Sequence, residues 1–187
     1  MRVYIIRHGE SETNKESRWT GWLDVTLTEK GIDDARRAGR LLSDVEFDKL
    51  YSSDLVRAKM TLETALPSQD YEISTALREV NVGSIAGKPI VPFTDEEKKS
   101  MSVMGYATFD GETREEFRGR VESFMKMLEK SGYRTVGIFC HAGWQKEFLR
   151  LVLGVGLQTN KVRCKNCTVA IFDFNESNWM LHSWINL

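Results

Sequence analysis

The sequence predicts an α/β fold, a three-layer α/β/α sandwich with a mainly parallel central sheet and one antiparallel edge. Three observations predict it. Short apolar runs alternate with stretches of helical period along the 187 residues, as strand–helix repetition requires. Two of those runs, Val3-Tyr4-Ile5-Ile6 and Val136-Gly137-Ile138-Phe139-Cys140, have the look of buried strands. The last two strand patterns, 168–174 and 179–185, flank a turn at 175–178 and read as a hairpin, which places the antiparallel edge at the C-terminus.

Each element has its local reason. Residues 2–7 form the first strand, and a polar, Trp-containing loop follows to about Leu27. Thr28 can cap a helix running to about Asp44, with Ile32, Ala35, Ala38, Leu41 and Leu42 on one face. A short strand covers 49–52. Ser53 or Asp54 can cap the next helix, which Pro67 terminates, and 71–77 is a weak strand. The texture from Gly83 to Gly111 is irregular, with one short helix signalled by the capping box Thr94-Asp95-Glu96-Glu97. Thr113-Arg114-Glu115-Glu116 repeats that signature and opens a longer helix that Gly132 ends. The strand before His141 and a helix from about Gly143 to Leu153 complete the pattern.

Bulk properties bound the rest. The length suits one domain, 1–187. Hydrophobic content of 41% and charged content of 28% are ordinary for a soluble protein. A net charge of −1 gives no general affinity for nucleic acid or anionic lipid, and no apolar run is long enough to span a membrane. Met1-Arg2 leads straight into a strand, so no signal peptide is expected, and the three cysteines do not make a disulfide framework. A reduced, cytoplasmic protein is the expectation. Cys164-Lys165-Asn166-Cys167 is a single C-x-x-C that precedes a strand instead of opening a helix, which counts against redox chemistry. A zinc site would need two more ligands.

Chemistry concentrates where two strands end. Of three histidines, His8 and His141 each follow a buried strand, and parallel pairing would bring both rings to one sheet edge, where α/β proteins keep their sites. Arg7-His8-Gly9-Glu10-Ser11 with Asn14 resembles the signature of the histidine phosphatase superfamily, in its phosphoglycerate mutase-like branch. Further blocks match in order: Thr20-Gly21-Trp22-Leu23-Asp24 with Leu27-Thr28-Glu29-Lys30-Gly31, Tyr51-Ser52-Ser53-Asp54-Leu55-Val56-Arg57-Ala58, Leu77-Arg78-Glu79 with Gly83, His141-Ala142-Gly143, and Asn166-Cys167-Thr168.

The resemblance implies a metal-independent phosphomonoesterase without cofactor, acting on a small-molecule phosphate ester. It assigns the nucleophile to His8 and the general acid and base to Glu79. Phosphate binding falls to Arg7, Asn14, Arg57 and His141, with Thr20, Gly21 and Ala142 beside the substrate. The residue types suit that chemistry. Neutral imidazole can carry a covalent phosphoryl group, and guanidinium forks suit phosphate oxygens. A carboxyl can give and then take one proton, and a neighbouring phosphate favours its protonated form. Gly9 and Gly143 relieve crowding near the phosphate and the turning backbone.

Departures from the family pattern decide the alternatives. Mutases of the family follow their glutamate with Arg-His-Tyr-Gly, whereas this chain has Val80-Asn81-Val82-Gly83. The clamp for a carboxylate is missing, which favours hydrolysis over phosphoglycerate mutase activity. An inactive phosphate-binding module would typically have lost one of the five core residues. Asp54 replaces a common proline, and Gly83-Ser84-Ile85-Ala86-Gly87 replaces Gly-x-Trp-Glu-Gly. The resemblance implies an inserted lid between Glu79 and His141, at about 83–111. Its Phe93, Met101, Met104, Tyr106 and Phe109 either line a substrate pocket or only pack the lid, and Trp19 and Trp22 could border the same mouth. His182 reads as structural, and Arg163 and Lys165 as a solvated face.

Overall fold

The computed structural model describes residues 1–154 and 161–187. Its strands are β1 (Arg2–Arg7), β2 (Lys49–Ser52), β3 (Glu72–Ile73), β4 (Thr135–Cys140), β5 (Val169–Asn175) and β6 (Asn178–Ile185). Its helices are α1 (Glu12–Lys15), α2 (Glu29–Leu41), α3 (Val56–Ala65), α4 (Asp95–Met104), α5 (Arg114–Glu129) and α6 (Ala142–Leu153). One sheet runs in the order β3-β2-β4-β1-β5-β6. The first four strands in that order pair in parallel, and β5 and β6 run antiparallel.

Alternation within the strands builds the three layers. Val3 and Ile5 of β1 join Val136 and Ile138 of β4 in a core with Phe124, Trp144 and Phe148 from α5 and α6. Ile6 and Phe139 face the other way, onto Leu42 and Leu62 beside α2 and α3. Gly137 is part of that second face: an added Cβ would lie 2.5 Å from Leu50 Cδ2 and 3.0 Å from Phe47. Burying strands on both faces is what a mainly parallel sheet requires. The hairpin turn puts Glu176 and Ser177 at φ 49° and 67°, the sign the strand twist demands of a two-residue connection.

Several boundaries differ from expectation. The second helix stops at Leu41, where the Leu42 N–H shares the carbonyls of Ala38 and Gly39 and Ser43 Oγ donates to Arg40 O. The Ser53/Asp54 cap of α3 is overturned. The Val56 N–H donates to Asp24 Oδ1 at 2.7 Å, while Ser53 Oγ reaches only the Leu55 N–H. Asp54 is instead held by Arg78, with contacts of 2.5–3.0 Å. The weak strand at 71–77 shrinks to Glu72–Ile73, and Ser74 caps a 3-10 turn over Thr75–Leu77. Helix α1 lies inside what the sequence reads as loop. The long helix ends at Glu129, before Gly132 at φ 74°.

Segment 83–111 carries α4 behind its expected capping box. It is tied to the loop after β1 by the Trp19 N–H on Lys88 O, the Gly87 N–H on Trp19 O and the Ile90 N–H on Ser17 O. Trp19, Phe93 and Phe109 stack in series at 5.5 and 5.6 Å, and Tyr106 meets Trp19 edge-on. Among the described residues, no helix is long and apolar enough to cross a membrane.

Candidate active site

Register makes the site. β1 and β4 are parallel neighbours with Arg7 opposite Cys140, so the next residues, His8 and His141, emerge side by side. Their ring centroids are 5.2 Å apart and both rings are buried. The backbone holds His8 in one tautomer. Nδ1 lies 2.7 Å from the Gly9 carbonyl and donates to it. Nε2 therefore carries the lone pair, and Arg57 Nε donates to it at 3.3 Å. Burial, then the charges of Arg57 and Arg7, push the His8 pKa well below its ordinary 6.5, which keeps the ring neutral and nucleophilic.

Arg57 sits in the first turn of α3 and is fully buried. Its two Nη atoms donate to Gly21 O and Leu23 O at 2.8 Å, so it anchors the loop after α1 as well as facing His8. Burial lowers its pKa to about 10. Arg7 Nη1 donates to Cys164 O at 2.6 Å, and its buried Nε has no partner among the described residues. His141 is 0% exposed, and neither ring nitrogen has a partner among those residues. Burial, then Arg57, His8, Arg7 and Arg120, hold its pKa well below 6.5.

Glu79 follows the Thr75–Leu77 turn. Its carboxylate accepts from the Val80 N–H at 2.9 Å and the Gly143 N–H at 3.0 Å, which ties it to the start of α6 just past His141. Gly143 must be glycine for this approach, since a Cβ there would overlap Glu79 Oε1. Gly9 has a different reason: a Cβ would strike the Gly31 carbonyl of α2, so the crowding it relieves is against backbone.

The remaining expected residues lie close by. Asn14 Oδ1 accepts from the Ser11 N–H and Asn166 Nδ2, leaving its amide donor without a protein partner among the described residues. Thr20 Oγ1 bonds Thr13 Oγ1 at 2.6 Å, and Gly21 offers its carbonyl to Arg57. Those contacts engage both within the protein. Ala142 is the first residue of α6. Cys164 bonds Gln145, Cys167 is buried at φ 53°, and burial raises both thiols, Cys167 to about 12. Thiols held protonated are poor nucleophiles. His182 sits 3.3 Å from Asp173, and Arg163 and Lys165 are exposed.

Sequence reasoning missed the brace around Glu79. Arg120, on α5, donates to the carbonyls of Ala76, Arg78 and Glu79 at 2.8–3.2 Å and forks onto Glu112 at 3.0 and 3.1 Å. Trp22 Nε1 also donates to Glu79 O at 2.7 Å, with Arg78 stacked over its ring. An arginine in the middle of an amphipathic helix carries no local signal of such a duty.

Such a set can hold a tetrahedral anion against a neutral imidazole. The model of the histidine phosphatase superfamily, branch 1, matches residues 3–187. The chain belongs to the histidine phosphatase superfamily. A Salmonella choleraesuis protein named "Probable phosphoglycerate mutase GpmB" is 29% identical over 99% of this chain and 90% of its own length. A 2,3-bisphosphoglycerate-dependent phosphoglycerate mutase from Bacteroides fragilis is 46% identical, over 46% of this chain and 38% of that one. Two solved structures share the fold. The alpha-ribazole phosphatase of Shigella flexneri has a TM-score of 0.83 at 24% identity, covering 100% and 96% of the two chains. A phosphoserine phosphatase mutant from Entamoeba histolytica has 0.86 at 21%, covering 98% and 95%.

Proposed function

We propose that this superfamily member is a phosphomonoesterase that hydrolyses a small-molecule phosphate ester through a phosphohistidine on His8. The observation that carries the reading is the set of buried polar atoms around that ring without partners among the described residues: Arg7 Nε and both nitrogens of His141. Each such atom costs about 1–3 kcal/mol if it stays unsatisfied, and the oxygens of a phosphoryl group satisfy donors in this arrangement. In the first step His8 Nε2 bonds to phosphorus, the ester P–O bond breaks, and Glu79 gives its proton to the departing oxygen. In the second, Glu79 takes a proton from water, the new hydroxide bonds to phosphorus, and the P–N bond breaks. Arg7, Arg57 and His141 offset the charge that spreads over the equatorial oxygens, and Asn14 adds an amide donor.

Hydrolysis is preferred to mutase action because Val80-Asn81-Val82-Gly83 carries no cation. Arg78, the nearest one along the chain, is bound to Asp54, Arg120 is bound to Glu112, and the Asn81 N–H is taken by Glu112. The sequence relatives are named as mutases and the two solved structures as phosphatases, so both activities occur among the similar proteins. The test is turnover of 4-nitrophenyl phosphate with isolation of acid-labile, alkali-stable phosphate on His8. Turnover that survives His8→Ala refutes the proposal. Interconversion of 2- and 3-phosphoglycerate driven by the bisphosphate would establish the mutase reading instead.

A further inference from the structure

An in-line displacement places the alcohol half of the ester opposite the attacking nitrogen, beside the carboxyl that protonates it. This placement rests on the reading of Glu79 as that carboxyl. The two residues whose N–H groups hold its carboxylate, Val80 and Gly143, also help to wall a cavity of about 840 Å³. The cavity runs between the start of α5 and one face of α6, where Gly143, Lys146, Arg150 and Leu151 recur at helical spacing, and Met101 and Tyr106 close it from segment 83–111. Its volume matches sites that enclose drug-sized molecules, and it far exceeds a three-carbon acid. Val80, Met101, Phe117 and Leu151 give it an apolar lining.

Most charges in that wall are engaged within the protein; the exposed Glu115 and the half-buried Lys146 make no ion pair among the described residues. Arg150 pairs with Glu147, Arg118 with Glu122 and Glu112 with Arg120, and the Arg114 guanidinium donates to Met101 O. Lys146 lies one turn beyond Gly143. An ammonium at a partly desolvated apolar wall gains more from an anion than one in bulk water does. We infer that the cavity receives the alcohol half of the substrate, a bulky apolar body bearing a second anionic group, and that Lys146 selects for that group.

The experiment compares kcat/KM for 2-naphthyl phosphate and 6-carboxy-2-naphthyl phosphate in the parent, Lys146→Ala, Lys146→Glu and Lys146→Arg. The parent should favour the carboxylate ester by roughly tenfold, the size of a charge-assisted contact. Lys146→Ala should remove that preference, Lys146→Glu should reverse it, and Lys146→Arg should keep it. A parent preference within about twofold, or equal losses on both esters in Lys146→Ala, overturns the inference while leaving the phosphatase reading intact. Failure to turn over either ester, with no phosphohistidine formed, overturns both together.

Discussion

Truncating Arg120 to alanine tests whether the brace around Glu79 serves catalysis or only stability. The side chains of Arg120 and Glu112 are 17% and 13% exposed. Breaking a buried pair by removing one partner costs about 3–5 kcal/mol. Glu112 keeps the Asn81 N–H and Glu79 O keeps Trp22 Nε1, so the lower end applies. A loss of about 3 kcal/mol corresponds to a fall in Tm of roughly 6–12 °C for a chain of this size. The catalytic effect is separable. A shift of about 1 Å in an acid costs on the order of a hundredfold, and the loss should follow the leaving group's need for a proton. The kcat/KM of an alkyl phosphate should fall on the order of a hundredfold, that of 4-nitrophenyl phosphate much less, and inhibition by inorganic phosphate should change by less than about threefold. Arg120→Lys should restore only part, because one ammonium cannot span three carbonyls and a carboxylate. Equal losses for both esters, or a loss of phosphate affinity that tracks the loss of turnover, would refute the reasoning.

Two further outcomes follow from the same site. His8 and His141 are held neutral by burial, whereas the unfolded chain protonates both near 6.5; protons therefore favour unfolding, and stability is lost as pH falls below that value, by up to about 2.7 kcal/mol per pH unit for two sites. Urea titrations of the parent and His141→Asn between pH 7 and about pH 5 should show a shallower dependence in the variant, and identical slopes would contradict the assignment. Gly143→Ala forces a methyl group onto the Glu79 carboxylate and should lower kcat/KM for alkyl phosphates by about tenfold or more, with Tm nearly unchanged; full activity would mean that this carboxylate does not act from the position described.

Strand period, capping boxes and the placement of His8 and His141 after buried strands were legible because each is a local relation. Thr28, Thr94 and Thr113 cap their helices as their spacing predicts. The α3 cap was misread because its partner, Asp24, lies 32 residues away, and no nearby pattern competes visibly with Ser53 or Asp54. For Phe93, Met101, Met104, Tyr106 and Phe109 the sequence leaves two readings, a pocket lining or packing of the lid. The structure divides the set: Phe93, Tyr106 and Phe109 pack with Trp19 and hold segment 83–111 in place, while Tyr106 and Met101 face the cavity.

By itself, then, the order of residues determined the family, the layered fold and the nucleophile's neighbours, because those depend on short-range periodicity and on motif blocks read along the chain. Tertiary structure alone decided that Arg57 spans His8 and the Gly21–Leu23 loop, that Arg120 braces the Glu79 backbone, and that Lys146, in the wall beyond Gly143, makes no ion pair among the described residues. Long flexible cations choose partners by proximity in space, and a buried hydrogen bond between residues about forty positions apart leaves no trace in either neighbourhood.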